Sequence, residues 1–592
     1  PPGAPRPCGS GFSRTPLRMR AAPDRAAVAP VGRASARRLR PLAWAPALTV
    51  ATFALPIAAG LAGTIAPAFG YLPAIGGIGF TLDAWRELVA WPGFASSLKL
   101  TLATGFGATI LSALLAFGFC AWAAGRAWGP RAAAWLAPIL ATPHSAFAIG
   151  LAFVIAPSGW IVRALSPWLT GVDVPPDVAT VGHPSGAALV LGLVVKEVPY
   201  LVLMTTAALA QVRSQEHLAL ARAFGYGARE AWIRAVLPQI WRQVRLPVLA
   251  VLAYSLSVVD VALILGPGNP PTLAVLAVRW LGDADVRMWF PAAAAATLVL
   301  AVVAASIVAL RALEWLVAAA GARIVARGRR KTVLTPLIGG TAATVAALGV
   351  LACAAMAGMA LWSVATQWRF PGAMPSGLTL DGWARRAGDL AAPAWNTVVV
   401  GAIATVVALV LSLACLEAEQ RRPRSGPPPA LSLLYLPLLV PQVAFLFGAQ
   451  VLLVRSGADG TLAAVAWAHL IYVLPYLFLS LADPWRALDP RYARTAASLG
   501  ASPMRVFVAV KLPILARPVA IACAVAFAVS AGLYLPTLFA GNGLVPTLTT
   551  EAVTLSAGAD RRVIGAWALA QAAVPLVVYA AAVLLTARRS AA

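Results

Sequence analysis

A handful of polar side chains stand inside stretches of this sequence that are otherwise apolar: His144, Lys196, Glu197, Asp260 and Gln442. Charge is expensive to bury, so such groups are candidates for a polar task. Bond-making chemistry is the first option to test. The sequence carries no paired carboxylates at D-x-x-D spacing, no H-E-x-x-H and no Ser/His/Asp cluster, which disfavours an integral membrane enzyme such as a lipid transferase. A phosphate-cradling G-x-x-x-x-G-K-[ST] loop is missing too, down to the Gly-Lys dipeptide, so the chain is expected to bind no ATP and no other cofactor itself. Cys120, Cys353, Cys415, Cys523 and Cys8 lack metal-ligand or disulfide spacing, and no metal site is expected. What remains is the contact and passage of a polar solute. Adjacent helical residues point about 100° apart, so one of Lys196 and Glu197 faces such a path while the other pairs with a neighbouring helix.

The elements that hold these groups follow from composition. Of 592 residues 60% are hydrophobic and 11% charged, with a mean hydropathy of +0.81, far from the balance of a water-soluble domain. A bilayer-crossing helix needs about 20 apolar residues. On that basis twelve spans are expected, near 43–66, 96–123, 133–156, 187–210, 246–266, 289–310, 334–364, 394–418, 428–454, 461–482, 518–540 and 563–587. The fold class is then an all-α polytopic membrane protein. The net charge of +25 would suggest nucleic acid in a soluble protein, but 34 of the 46 Lys and Arg fall in the tails and alternate loops of one side. By the positive-inside rule that side is cytoplasmic, both termini included, and no nucleic-acid partner is expected. Residues 1–42 read as a disordered Arg- and Pro-rich cytoplasmic tail, or as a start set too far upstream.

Self-similarity organises the spans. ARAFGYGAREAWIRAVLP, ending at Pro238, and AASLGASPMRVFVAVKLP, ending at Pro513, occupy equivalent loops, with Gly225 and Gly500 275 residues apart like the two prolines. PHSAFAIG (143–150) pairs with PQVAFLFG (441–448), VPYLVL (198–203) with LPYLFL (474–479), and Pro271-Thr272-Leu273 with Pro546-Thr547-Leu548. The chain is a six-span unit used twice: 43–318 with loop 211–245, a cytoplasmic linker 319–333, 334–587 with loop 483–517, and a tail 588–592. Because six is even the copies share one orientation, related by a pseudo-two-fold axis along the membrane normal with a path between them. Each loop reads as helix, turn, helix: a left-handed glycine ends the first piece, Ser502 with Pro503 opens the second copy's new helix, and that helix halts at Lys511-Leu512-Pro513. The second copy has Tyr472 and Val473 in place of Lys196 and Glu197, and Leu535 in place of Asp260, so the path is asymmetric. His144 and Gln442 are equivalent to each other. His469, near the end of its span, reads as structural.

Glycine followed thirteen residues later by Leu-Pro, in the cytoplasmic loop before the penultimate span of a six-span unit, resembles the "EAA" loop of ATP-binding-cassette importer permeases. Two halves fused in one chain resemble the thiamine, ferric-iron and YnjC-type permeases, over essentially all of 43–587. The resemblance implies a type I importer fold and a bacterial inner-membrane location. It also implies a small solute delivered by a periplasmic binding protein, and coupling helices seated on a separate dimeric ATPase that uses the ATP. The residues this places at the ATPase contact are Gly225, Leu237 and Pro238 in the first copy and Gly500, Leu512 and Pro513 in the second. The position of the family's motif Glu is held by Ala219 and Arg494; Glu216 lies one turn earlier as a possible substitute in the first copy. The alternative is an ion-coupled twelve-span secondary transporter, which would not need two matched Gly-to-Leu-Pro loops.

Overall fold

Runs of Ala, Leu and Val leave the backbone no hydrogen-bond partner in lipid except itself, so such runs fold as helices. The computed structural model describes residues 42, 44–124, 126, 136–326, 334–421 and 433–587. Among them the only extended pairings are two isolated bridges, Leu72 with Gly77 and Ala365 with Leu378. Twelve main helices carry the repeat. The first half has α1 (Ala45–Ala68), α2 (Phe94–Ala123), α3 (His144–Ile155), α4 (Ala187–Leu209), α5 (Leu237–Ser257) and α6 (Trp289–Ala326). The second has α7 (Leu334–Val364), α8 (Asp381–Gln420), α9 (Gln442–Ser456), α10 (Leu462–Arg486), α11 (Ala516–Ala531) and α12 (Arg561–Ala587). Residues 1–41, 327–333 and 588–592, on which the expected tails and most of the linker fall, lie outside the described residues. The start of that linker, 319–326, continues helix α6.

Nine helices among the described residues are long and apolar enough to cross a bilayer. The count rises to eleven if each of two bent pairs is one span: Leu433–Leu439 with Gln442–Ser456 (103°), and Pro503–Ile514 with Ala516–Ala531 (77°). The expectation of twelve differs at 246–266. That apolar run is divided: α5 begins at Leu237 and takes in Arg242 and Arg245, and the chain breaks at Val258-Val259 before a short helix, Asp260–Leu265. The second half breaks at the equivalent place, between α11 and Leu535–Gly541.

The halves exchange their first helices. α1 packs along α9 and α8 while keeping a face on α6 of its own half, and α7 packs along α3 and α2 while keeping a face on α12. Small residues permit this close contact, as is usual where lipid offers no hydrophobic drive for association. A Cβ on Gly60 would run into the Phe445 carbonyl, and one on Gly63 would lie 2.9 Å from the Gly448 Cα. Thr64 Oγ1 accepts the Gly448 N–H at 3.1 Å. At the other crossing a Cβ on Gly150 would stand 2.6 Å from the Ala355 carbonyl oxygen. Gly150 and Gly448 end the matched PHSAFAIG and PQVAFLFG blocks, so one repeated glycine marks where each half receives the other's leading helix.

The Pro-Thr-Leu blocks have a matched role. Thr101 Oγ1 on α2 accepts the Leu273 N–H at 2.9 Å, and Thr397 Oγ1 on α8 accepts the Leu548 N–H at 3.0 Å. Each bond pins the start of a short helix, Leu273–Leu281 or Leu548–Leu555. At the end away from the Gly-to-Leu-Pro loops, Arg163 donates to the Trp368 and Gly372 carbonyls and lies over the Trp362 and Trp368 rings. Arg561 bonds Ser158 there, so aromatic and guanidinium groups tie the halves together at that end. Nearby, partial burial works against the Asp560 carboxylate. Hydrogen bonds from the Arg562 side chain and backbone, with the charges of Arg562 and Arg386, outweigh it and hold the Asp560 pKa below the ordinary carboxylate range.

Candidate functional site

Two features stand out as sites: the paired loops, and a polar cluster where the halves meet. The first loop runs as helix Ser214–Ala223, then Gly225 at φ +83°, helix Ala228–Ala231 and a π turn, Trp232–Val236, that leads into Leu237-Pro238. The second runs as helix Pro490–Ser498, then Gly500 at φ +81°, helix Pro503–Val506 and a π turn, Phe507–Lys511, before Leu512-Pro513. A Cβ at Gly500 would meet nothing within 4 Å, so the left-handed backbone alone demands glycine there. Ser502 caps as expected, accepting the Arg505 N–H at 3.3 Å.

The expected halt at Leu-Pro does not occur. Leu237 N–H bonds the Trp232 carbonyl and Leu512 N–H the Phe507 carbonyl, each five residues back. The ladder slips by one place just before a proline that has no N–H to offer and whose ring crowds the carbonyl four back, so the helix passes through. In the first copy it continues as α5; in the second it bends at Leu515, beyond Ile514.

Both loops present an apolar side chain immediately before the glycine. Phe224 is 65% exposed and Leu499 83% exposed, and sequence reasoning passed over them although they occupy equivalent places. Ala219 and Arg494 are exposed as well. Glu216 is exposed and pairs locally with Arg213 at 3.6 Å. The loops differ in what holds them from behind. Lys511 is buried, and its Nζ donates to Glu417 Oε2 (2.6 Å) and Gln420 Oε1 (2.8 Å) at the end of α8, with Arg421 on the other Glu417 oxygen. The first loop has Val236 there, buried like Trp232, and its ion pair is internal, Arg234 to Glu230 at 3.3 Å.

The second feature gathers groups from both halves. His144 opens α3, and its Nε2 lies 3.6 Å from Glu197 Oε1; its ring centroid is 5.1 Å from that of Tyr254 on α5. Asp260 begins the short helix after the α5 break and lies within the electrostatic reach of His144, Tyr254 and Tyr534. Tyr200, Tyr254 and Tyr476 lie within reach of Glu197. Tyr476 and Tyr534 belong to the second half and the rest to the first. Lys196 turns elsewhere: it is 2% exposed and its Nζ donates to the Ile139 and Thr142 carbonyls, both at 2.6 Å. It therefore satisfies the end of helix Ala137–Ala141, which has no continuing partner where the chain turns at Pro143.

Not every sequence candidate joins this cluster. Gln442 opens α9 as His144 opens α3. Tyr472 is buried with its ring stacked on Phe445, and its hydroxyl has no hydrogen-bond partner among the described residues. His469 is structural: its ring nitrogens lie 2.8 Å from the hydroxyls of Ser530 and Thr537, bridging the α11 break. The tyrosines were missed because a neutral phenol in an apolar run carries no charge signal; the repeated Pro-Tyr of VPYLVL and LPYLFL, which holds Tyr200 and Tyr476, was the available clue.

An all-helical membrane body made of one unit used twice, with matched loops on one end and a shared polar cluster between the halves, describes a transport permease. No family model matches the chain. It is, however, 33% identical over 507 residues to the inner membrane ABC transporter permease protein YnjC of Escherichia coli (strain K12), covering 84% of this chain and 90% of that protein. The chain belongs to the ABC transporter permeases, a transport subunit of the inner membrane. The ion-coupled secondary transporter is thereby set aside.

Proposed function

We propose that this permease serves an importer, carrying a small solute delivered by a periplasmic binding protein and driven by a separate dimeric ATPase docked on the two Gly-to-Leu-Pro loops. The observation that carries the reading is the matched build of those loops: left-handed Gly225 and Gly500, a π turn before each Leu-Pro, and exposed Phe224 and Leu499 at equivalent places. Two rigid projections at one end of a two-fold-repeated body are what a dimeric partner can grip and move. Closure of the ATPases would draw the loops together and rock the halves, opening the central cluster to each side in turn. ATP would be bound by the partner, and this chain would hold no cofactor or metal. The basic loops and both termini would face the cytoplasm.

The test is co-purification. Tagged full-length protein should bring down a nucleotide-binding subunit, and Gly500→Glu should weaken that association at least tenfold. Recovery of a fully active transporter without any ATPase would overturn the proposal.

A further inference from the structure

Two helix crossings join the halves in pseudo-equivalent fashion: α12 lies against α3, and α6 against α9. Their residues correspond through the matched blocks. Ser145 and Ser158-Gly159 of the first half correspond to Val443 and Ser456-Gly457 of the second, 298 residues on. Asp560-Arg561-Arg562 and Gln571 correspond to Asp285-Val286-Arg287 and Ala296, 275 residues back. The α3–α12 crossing is bonded at two levels. At the end away from the Gly-to-Leu-Pro loops Arg561 donates to the Ser158 carbonyl at 2.9 Å and to Ser158 Oγ at 2.6 Å, and its guanidinium lies over the Phe153 ring of α3. Further along α12 the buried Gln571 donates from Nε2 to Ser145 Oγ at 2.7 Å and to Thr549 Oγ1 at 2.8 Å, with its Oε1 left unpaired. Thr549 in turn donates to the Ala531 carbonyl at the end of α11.

At the equivalent places the α6–α9 crossing carries none of these bonds. Val286, Ala296 and Val443 have no polar side chain, and Ser456 Oγ donates to the Leu453 carbonyl of its own helix at 2.9 Å. Trp289 meets Phe447 edge to face, ring centroids 5.8 Å apart, and its buried indole N–H has no hydrogen-bond partner among the described residues. A buried amide and a guanidinium held by directed bonds have one good geometry, whereas packed aromatic and aliphatic surfaces slide by small steps at little cost. Resting on the rocking motion proposed above, we infer that the halves part asymmetrically. The α3–α12 crossing is the hinge, positioned by Arg561 and Gln571, and the α6–α9 crossing is the side that opens.

The test is double electron–electron resonance on the full chain in lipid nanodiscs, in a cysteine-free background, with spin labels at exposed positions flanking each crossing. Ile161→Cys with Ala559→Cys reports on α3–α12, and Val454→Cys with Val286→Cys on α6–α9. The distance distribution across α6–α9 should be at least twice as broad as that across α3–α12. Arg561→Val combined with Gln571→Ala gives α12 the residues of α6, and should broaden the α3–α12 distribution about twofold while leaving the other unchanged. Equal breadths in the parent protein would overturn the inference without any variant, and so would an α3–α12 distribution that the double variant leaves as narrow as before. Co-purification with a nucleotide-binding subunit is measured on the same preparations. If it persists while the breadths are equal, the hinge is wrong and the docking proposed above stands; if the parent brings down no such subunit, it is the docking that fails.

Discussion

The two Gly-to-Leu-Pro loops share a backbone and differ in what anchors it. In the first, Trp232 and Val236 bury apolar surface and the ion pair Glu230 to Arg234 stays within the loop. In the second, Lys511 occupies the place of Val236 and reaches across to Glu417 and Gln420 on α8, while Arg486 bonds Glu419 in two-pronged fashion nearby. Apolar packing tolerates small sliding; a buried, hydrogen-bonded charge pair has one good geometry. The repeat has therefore kept the turn and changed the fastening. The second loop is thereby tied to α8, and α8 packs on α1 of the other half.

The largest effect should come from undoing that fastening. Lys511→Met strips the buried Glu417 of one of its two cationic partners, leaving Arg421, and should cost about 3 kcal/mol, read as a fall in melting temperature of the detergent-solubilised protein. Adding Glu417→Leu should recover much of the loss. Val236→Ala in the first loop should cost less, about 1–3 kcal/mol, and show no coupling to position 417 in a double-mutant cycle. If Val236 and Lys511 variants behave alike, the contrast between the fastenings is broken. Next, Gly225→Ala and Gly500→Ala should each cost about 1–2 kcal/mol, because both glycines hold the same left-handed turn. The two values should agree within the error of the melting measurement, and a large disparity would show that the turns are not equivalent under load. The smallest effect belongs to Glu216→Gln. Its partner is an exposed Arg213, so the change in melting should be under about 1 kcal/mol.

Much of this architecture was legible in the sequence, for reasons that can be named. The repeat survived because turn chemistry leaves a residue-type signature: glycine where φ must be positive, proline near a helix entry, threonine before Leu273 and Leu548. Helical geometry alone required Lys196 and Glu197 to point apart; that Lys196 is the one that turns to the Ile139 and Thr142 carbonyls was not legible. Three further things were not legible. The π turns have no residue code, since Trp232–Val236 and Phe507–Lys511 share little beyond the proline that follows. The α5 break at Val258-Val259 contains neither glycine nor proline, so the run at 246–266 looked continuous. The pair of Lys511 with Glu417 joins residues 94 apart, and nothing local marks either as the other's partner.

The exchange of leading helices has a consequence for how the chain is made. Among the described helices of the repeat α1 comes first in the chain, yet the glycine that receives it, Gly448, follows Thr64 by 384 residues. Throughout that interval α1 sits in the bilayer with its small-residue face, Gly60 and Gly63, turned toward lipid or a chaperoning helix. A product that ends after α6 would lack the Phe445 and Gly448 surface that covers this face. Fusion of the two halves thus ensures that the helix waiting longest is always followed by its partner, one copy for each.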